Sequence, residues 1–243
     1  MTKRFAVIIP ALDEEETIGA TLEGLAEALL GGDFAGCDLA QVIVVDNGST
    51  DGTAAAARTH AAGLPLQVIA EPRRGYGQAC LTGIAALEAG AEIVAFLDAD
   101  GSDDPADLAR LLEPLARGEA DCVIGSRELG AHERGSLSPQ QRLGNWMATR
   151  LLRLFFGARY TDLGPFRAIR RNALGRLAMR DTNFGWTIEM QIKAARTELR
   201  VREIPVRYRR RRAGKSKVGG SLRGSVLAGA KILWTILRLR FSA

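Results

Sequence analysis

The segment FLDADGSDDP, residues 96–105, places an apolar, strand-like run directly before a group of carboxylates. Asp98 and Asp100 are two residues apart, and Asp103 and Asp104 follow in the same segment. Carboxylates so close together repel one another, so either one of them holds a proton or a cation offsets their charge. A divalent cation that also binds a phosphate would offset it. The segment therefore raises the hypothesis of a metal-assisted phosphate site at the end of a strand.

Apolar strand-like runs alternate with helix-like segments through the first half of the chain. The predicted strands cover residues 5–9, 42–45, 66–69, 93–97 and 123–124. This alternation predicts an α/β fold with a mostly parallel sheet flanked by helices. No GxGxxG motif follows the first strand, which disfavours a standard dinucleotide-dependent oxidoreductase.

Acidic residues end two of these predicted strands. Asp46 ends the second strand, and Asp98 and Asp100 follow the fourth. In open parallel sheets, ligands bind beyond the carboxyl ends of the strands, which meet at one edge. We therefore expect acids from separate strands to converge on a ligand site at this edge.

Charge is distributed unevenly along the 243 residues, whose net charge is +5. Residues 201–243 contain twelve Lys or Arg and one acid, which leaves 21 basic and 27 acidic residues of the totals of 33 and 28 in residues 1–200. A basic tail on an acidic body favours a polyanionic partner such as a nucleic acid, phospholipid headgroups or a phosphorylated substrate. The run of arginines at 209–212 lacks the interleaved aromatic residues of single-strand binders, so we expect no nucleic-acid partner.

Two basic amphipathic helices are predicted, at residues 142–156 and 221–240. The second could pack on the core or lie in a membrane interface, and two such helices in one chain favour a membrane surface. No segment approaches the roughly 18 uncharged apolar residues of a membrane span, and the first residues do not resemble a signal peptide. We expect a protein of the cytoplasm that associates peripherally with the inner face of the cell membrane. On the second helix, small and polar residues form a narrow stripe of Gly224, Ala228, Lys231, Thr235 and Arg238.

Several motifs, in their order and spacing, resemble family 2 glycosyltransferases of the GT-A fold. They are IIPALDEE (8–15), VVDNGSTDGT (44–53), FLDADG (96–101) and VIGSR (123–127). The second half is similar to the polyprenyl-phosphate sugar synthases of the dolichol-phosphate mannose synthase type, and the resemblance covers almost the whole chain. The motifs there are TDLGPFRAIRR (161–171), FGWTIEMQ (184–191) and IPVRYRRRRAGKSK (204–217).

The resemblance implies a GT-A glycosyltransferase domain over residues 1–217. Residues 1–127 would form its nucleotide-sugar-binding half and residues 128–217 its acceptor-binding half. Residues 218–243 would form the basic amphipathic C-terminal helix, with no transmembrane span.

The resemblance also implies roles for individual residues in binding the donor. The three strand-end motifs would contact the nucleotide, including its base, ribose and phosphates. Asp98 and Asp100 would act in catalysis, and Asp100 would ligate Mg²⁺ or Mn²⁺. Asp13 stands where the family usually has Asn. The implied nucleotide-sugar-binding residues are Pro10, Ala11, Asp13, Asp46, Asp98, Ala99 and Asp100.

The implied reaction is an inverting, metal-dependent transfer of a hexose to a polyprenyl phosphate of the dolichyl or undecaprenyl type. The donor would be a nucleotide sugar of the GDP-mannose or UDP-glucose type. A phosphate acceptor is already ionised at neutral pH, so it requires cations to hold it and no base. Arginine and lysine suit this role. The candidate acceptor-phosphate residues are Arg127, Arg142, Arg167, Arg211, Lys215 and Lys217.

Two other functions remain open from the sequence. The same donor chemistry could serve a hydroxyl acceptor, a small molecule or a lipid, with Glu189 as the catalytic base. Glu189 could equally orient an arginine or the sugar. A nucleotide-sugar sensor without catalysis is the third possibility, which the presence of both Asp98 and Asp100 disfavours.

Overall fold

A seven-stranded sheet forms the centre of the computed structural model, which describes residues 2–34, 36–61, 63–213 and 222–241. The strands are β1 (Lys3–Ala11), β2 (Cys37–Asp46), β3 (Leu66–Ala70), β4 (Ile93–Phe96), β5 (Cys122–Ser126), β6 (Arg167–Arg170) and β7 (Val201–Pro205). Their order across the sheet is β3-β2-β1-β4-β6-β5-β7. The helices are α1 (Glu15–Gly31), α2 (Thr53–Thr59), α3 (Tyr76–Ala85), α4 (Leu108–Ala116), α5 (Pro139–Phe156), α6 (Arg171–Leu177), α7 (Trp186–Arg196) and α8 (Leu222–Phe241).

Most strand pairs are parallel. Strands β1, β2, β3 and β4 form three parallel pairs, and β5 pairs in parallel with β7. The exception is β6, which runs antiparallel between β4 and β5. The predicted α/β architecture with a mostly parallel, helix-flanked sheet is therefore confirmed.

Helices cover both faces of the sheet, and β1 shows why its sequence is apolar at every position. Phe5, Val7 and Ile9 pack into the hydrophobic cluster that includes residues of α1 and α4. Ala6 and Ile8 point to the other face, into the cluster that includes residues of α3 and α7. A strand buried on both faces carries a continuous apolar run instead of an alternating one.

A third hydrophobic cluster joins α5, α7 and α8. It contains two residues from each helix, and the α5 pair is Ala148 and Leu152. Other apolar side chains of α5, Leu143 and Leu154, are exposed. No helix in the described ranges is both long enough and apolar enough to cross a membrane. The α7 and α8 members of the cluster are Ile188, Ile192, Ile236 and Leu239.

Helix α8 turns its small and polar side toward the protein, although its composition suggests that the large apolar side chains would be buried. Its stripe of small and polar residues faces the body of the protein: Ala228 and Thr235 are buried, and Lys231 Nζ lies 2.9 Å from Asp181 Oδ2. Many of its large apolar side chains are exposed instead. These are Val226, Leu227, Leu233, Trp234, Leu237 and Phe241.

Candidate active site

A cavity of about 470 Å³ lies beyond the carboxyl ends of β1, β2 and β4. Pro10 and Ala11 at the end of β1 line it, together with Asn47 after β2 and Asp98 and Asp100 after β4. Residues from three neighbouring strands thus meet at this edge, although Asn47 faces the cavity in place of Asp46. Parallel topology alone produces this convergence.

The carboxylates after β4 are partly or fully withdrawn from solvent. Asp98 Oδ1 accepts a hydrogen bond of 3.2 Å from the Tyr76 hydroxyl, and burial together with the charge of Asp100 raises the pKa of Asp98 to about 7. Asp100 Oδ1 accepts from the backbone N and the hydroxyl of Ser102 at 2.9 and 2.6 Å. Asp103 is buried, and neither of its carboxylate oxygens has a hydrogen-bond partner among the described residues. Burial and the neighbouring carboxylates raise the pKa of Asp103 as well, so a proton or a cation is favoured at this edge.

Arg211 supplies part of the neutralising charge. Its Nη1 lies 3.2 Å from Asp100 Oδ2, and its Nη2 forms an ion pair with Glu14, another residue of the cavity wall. Burial raises the pKa of Glu14, and the Arg211 hydrogen bond opposes that shift. The arginine-rich segment after β7 therefore folds back over the carboxylates instead of extending into solvent.

Arg127, at the end of the β5 motif, lines the same cavity and is held rigidly. Its Nε and Nη2 donate to the two oxygens of buried Asp162 at 2.7 Å each, and its backbone N donates to Oδ2 at 2.8 Å. The guanidinium carbon also lies 5.1 Å from the centre of the Tyr208 ring. The ion pair overcomes the burial that would lower the pKa of Arg127, so this residue stays cationic at the cavity wall.

Glu189 does not belong to the lining of this cavity, which argues against its predicted role as a base. Its carboxylate accepts hydrogen bonds from the backbone N of Arg180 and of Asp181, and Lys193 Nζ lies 2.8 Å away. The segment it holds packs on the start of α3, where Gln78 N donates to Thr182 O at 2.9 Å. Glu189 therefore holds the segment that packs against the start of α3, the helix that begins with Tyr76.

Arg167, a predicted acceptor-phosphate residue, is not among the residues that line the cavity. It is almost fully buried, and its guanidinium donates to the carbonyl oxygens of Leu163, Gly164 and Thr187. Burial also lowers its pKa. The side chain ties β6 to the start of α7 and does not line the cavity.

The other predicted cations lie outside the cavity lining or outside the described residues. Arg142 is exposed on α5, where its Nη2 lies 2.9 Å from His132 Nε2, while the preceding residue, Gln141, lines the cavity. Lys215 and Lys217 lie outside the described residues.

Two predicted donor residues, Asp13 and Asp46, do not line the cavity and instead hold the loop after β2. Asp13 Oδ1 accepts from the backbone N and hydroxyl of Thr50 at 2.8 and 3.1 Å. Asp46 Oδ1 accepts from Ser49 N at 3.0 Å. Ala99 does line the cavity, beside the two carboxylates that flank it in the sequence.

Sequence reasoning missed Asn47 and Tyr76. Asn47 is buried, donates to the carbonyl oxygens of Glu71 and Arg73, and accepts from Gly75 N at 2.7 Å, so it shapes the loop that carries Tyr76. Both residues line the cavity. Their positions in the chain could have indicated them, because the loop after β3 opens at the same edge as the loops after β2 and β4.

Comparison with known proteins identifies the family. The model for Glycosyl transferase family 2 matches residues 6–178. The chain belongs to this family. Among relatives of this family 2 enzyme, an uncharacterized glycosyltransferase of Mycobacterium tuberculosis is 39% identical over 91% of this chain and 93% of its own length. The undecaprenyl-phosphate mannosyltransferase of Micrococcus luteus is 31% identical over 98% of both chains.

Solved structures confirm the GT-A fold of this glycosyltransferase. Glucosyl-3-phosphoglycerate synthase from Mycobacterium tuberculosis, crystallised with Mn²⁺, uridine diphosphate and glucosyl-3-phosphoglycerate, superposes with a TM-score of 0.75 and 23% identity. The alignment covers 98% of this chain and 80% of that one. Another crystal structure of that enzyme contains Mg²⁺ and uridine diphosphate.

The carboxylate edge of this glycosyltransferase fits a divalent cation that is shared with a diphosphate. Among the described residues, no group of three or more His, Cys, Asp or Glu is arranged to hold a metal ion alone. Mg²⁺ is usually bound by one or two carboxylates together with substrate phosphates, which needs fewer protein ligands. Asp98 and Asp100 offer such oxygens at the cavity wall, and a bound cation would offset the repulsion from Asp100 that, together with burial, raises the pKa of Asp98.

Proposed function

We propose that this glycosyltransferase moves a hexose from a nucleotide sugar to a polyprenyl phosphate, with inversion at the anomeric carbon. One observation carries the proposal: a single cavity joins Asp98 and Asp100 to Arg127 and Arg211 and continues to the small and apolar α8 residues Ala228, Gly229 and Ile232. Carboxylates suit a metal-bound diphosphate, arginines suit a phosphate, and apolar residues suit a prenyl chain. The similarity to an undecaprenyl-phosphate mannosyltransferase over nearly the full length supports this acceptor class.

The donor end of the site is the edge formed by β1, β2 and β4. Pro10, Ala11 and Ala99 would contact the nucleotide sugar of the GDP-mannose or UDP-glucose type, and Asp98 and Asp100 would hold Mg²⁺ or Mn²⁺ together with the diphosphate. When bound, the cation stabilises the negative charge of the departing nucleoside diphosphate. The hydroxyl of Tyr76 fixes the orientation of the Asp98 carboxylate.

The acceptor end is the wall that carries Arg127 and Arg211. A phosphomonoester with a second pKa of about 6 is largely dianionic at neutral pH, so its oxygen can attack without a base. The attacking oxygen forms a bond to the anomeric carbon while the bond between that carbon and the diphosphate oxygen breaks. The two arginines would hold and orient the phosphate, since the guanidinium fork matches its oxygens. The placement of Glu189 outside the cavity favours this acceptor over a hydroxyl.

We assign the two halves of the domain accordingly. Residues 1–127 would bind the nucleotide sugar, because they supply the carboxylates and the strand ends of β1, β2 and β4. Residues 128–217 would bind the acceptor, because they supply Arg211 and the Asp162 that holds Arg127. Residues 218–243 would form a separate membrane-facing helix, of which α8 is the described part.

We further propose that α5 and α8 dock the enzyme on the cytoplasmic face of a membrane. Both helices contain basic residues and no Asp or Glu. Their exposed tryptophans are flanked by cations: Arg150 lies 5.6 Å from the Trp146 ring, and Lys231 and Arg238 lie 4.8 and 4.7 Å from the Trp234 ring. Exposed apolar and aromatic side chains beside positive charge suit an interface with anionic lipids.

A product assay tests the reaction. Purified protein would be mixed with detergent-solubilised undecaprenyl phosphate, a panel of UDP- and GDP-sugars, and Mg²⁺ or Mn²⁺. The expected result is metal-dependent formation of a lipid-linked sugar from one donor, lost in Asp100→Ala and retained in Asp38→Ala, which alters an exposed carboxylate on β2. Donor hydrolysis without a lipid product under every condition would refute the proposed acceptor.

A further inference from the structure

The carboxylate of Asp181, in the segment that precedes α7, is buried against helix α8. Its side chain has no exposed surface, and its Oδ2 lies 2.9 Å from Lys231 Nζ. Its Oδ1 accepts hydrogen bonds from the backbone N of Asn183 and of Gly185 at 2.8 and 3.1 Å. A buried carboxylate needs hydrogen bonds and a counter-charge, and Lys231 supplies the charge from a different element of the fold. Segment 181–185 is therefore held in shape by its own acid and by a lysine of α8.

Helix α8 contacts the same segment at a second point, one turn after Lys231. Thr235 is fully buried, and a Cβ atom added at Gly185 would lie 2.6 Å from the Thr235 Oγ1. Positions four residues apart share one face of a helix, so Lys231 and Thr235 form a single contact surface. This contact accounts for the orientation of α8, whose small and polar side is turned toward the protein.

The other side of the segment packs on the first turn of α3, around Tyr76. Gly75 and Gly77 flank Tyr76 in the chain. A Cβ atom added at Gly75 would clash with the carbonyl oxygen of Thr182, and one added at Gly77 would clash with that of Asp181. The absence of a side chain at both positions therefore lets the segment contact the backbone on either side of Tyr76.

Tyr76 connects this packing to the carboxylates of the active site. Its hydroxyl donates to Asp98 Oδ1 at 3.2 Å, and both residues line the cavity. Asn183, inside the segment, lines the cavity as well. A continuous series of contacts thus extends from Lys231 on α8, through segment 181–185, to Asp98.

We propose that Lys231 and Asp181 are positioning residues for the donor site. Their ion pair fixes segment 181–185 between α8 and α3, and the segment in turn holds the Tyr76 hydroxyl against Asp98. The inference rests on the donor half of the proposed function, in which Asp98 binds a cation shared with the diphosphate, and it is independent of the acceptor. Without Lys231, the buried Asp181 carboxylate would lack its counter-charge, so the segment would shift and Tyr76 would release the Asp98 carboxylate.

The test measures nucleotide binding with and without metal, so it needs neither an acceptor nor turnover. UDP and GDP would each be titrated into the protein by calorimetry, once with Mn²⁺ and once with EDTA, and the nucleotide that binds the wild type more tightly would be used throughout. Lys231→Met removes the charge and keeps an unbranched side chain. Two controls lie on the same helix. Arg240→Met removes an exposed charge of the last turn, and Ile236→Val loosens a buried contact in the cluster that α8 shares with α5 and α7.

The expected losses concern only the metal-dependent part of binding. Substituting a group that orients a metal ligand typically costs 10–100-fold in affinity, so we expect Tyr76→Phe and Lys231→Met each to weaken binding with Mn²⁺ by about tenfold. Binding in EDTA should not change. The double variant should bind no more weakly than Tyr76→Phe alone, because Lys231 acts through Tyr76 and the two losses are not independent. Arg240→Met and Ile236→Val should bind as the wild type does.

Four results would overturn the positioning role while the proposed donor site stands. They are unchanged binding in Lys231→Met, an equal loss with Mn²⁺ and with EDTA, a loss shared by either control, and losses that add in the double variant. If Lys231→Met does not fold, the variant that also carries Asp181→Asn replaces it in the same comparison, since it leaves no unpaired buried charge. If the wild type binds neither nucleotide more tightly with Mn²⁺ than with EDTA, the proposed metal-dependent donor site fails, and the inference fails with it.

Discussion

The buried ion pair between Arg127 and Asp162 gives the sharpest prediction about stability. Substituting Asp162 by Asn keeps the shape of the side chain but leaves the Arg127 guanidinium, only 13% exposed, without its counter-charge. Substituting Arg127 by Met leaves the buried Asp162 carboxylate without its partner. We expect each single substitution to be strongly destabilising and the double substitution to cost less than the sum of the two.

The magnitude follows from the contacts. Two charge-assisted hydrogen bonds join the side chains at 2.7 Å each. Such bonds contribute about 1.5–3 kcal/mol apiece, and removal of one partner of a buried ion pair typically costs about 3–5 kcal/mol. We therefore expect each single variant to lose about 3–5 kcal/mol of unfolding free energy, with a coupling energy of about 2 kcal/mol between the two positions.

The assay is a double-mutant cycle measured by urea unfolding at pH 7, and the chain contains a matched control. Arg200 and Asp121 form the same three contacts, with the Arg200 backbone N and Nε each 3.0 Å from Asp121 Oδ2 and Nη2 2.8 Å from Oδ1. The Arg200 side chain is 56% exposed, so solvent screens this pair and its coupling should be small. Equal coupling in the two pairs would refute the reasoning that burial makes the Arg127–Asp162 pair strong. Any Asp162→Asn protein that remains folded should also show a raised KM for prenyl phosphate with little change in the KM for the donor.

Two further predictions concern other carboxylates. Glu189→Gln should lower the melting temperature, because Glu189 binds two backbone N–H groups and Lys193. Its kcat should stay within about tenfold of the wild type, whereas loss of a general base costs roughly 10²–10⁴-fold. A loss of that size with intact donor binding would restore the hydroxyl-acceptor hypothesis. The hydrogen bonds from Arg73, followed by that from Thr82, hold the pKa of Glu71 well below its ordinary value. The contribution of the ionised Glu71 carboxylate to the free energy of unfolding should therefore be complete above about pH 5 and should decline as the pH falls further. Urea unfolding of the wild type and Glu71→Gln at pH 7, 5 and 3 checks this, and a stability difference that stays constant with pH would contradict it.

Much of the fold was predictable because buried strands require apolar residues at consecutive positions of the sequence. Strands such as β1 and β4 are covered on both faces, so they are continuous apolar runs between helix-like segments. The short β6 was not predicted, because only four residues pair there and an arginine stands at each end. Its antiparallel direction depends on pairing with β4 and β5, which are distant in the chain.

The candidate site was partly predictable for a similar reason. Asp98 and Asp100 follow a strand directly, so their place at the sheet edge follows from the topology. The places of Arg167 and Glu189 outside the cavity lining were not predictable, because their partners are backbone groups of other segments and nothing in the local sequence shows that these groups are near. An arginine buried against carbonyl oxygens and an arginine that faces a cavity are alike in sequence, and only the tertiary structure separates Arg167 from Arg127.

The most direct measurement of the central claim compares two acceptors that differ only in their head group. The enzyme would be given one nucleotide sugar with Mg²⁺ and either undecaprenyl phosphate or undecaprenol of the same chain length, and the lipid products would be analysed by mass spectrometry. We expect a hexose linked to the phosphate acceptor alone, because Arg127 and Arg211 line the cavity and would hold a phosphate, which is already ionised and needs no base. Transfer to undecaprenol, or to neither lipid while the donor is consumed, would contradict the assignment of the acceptor.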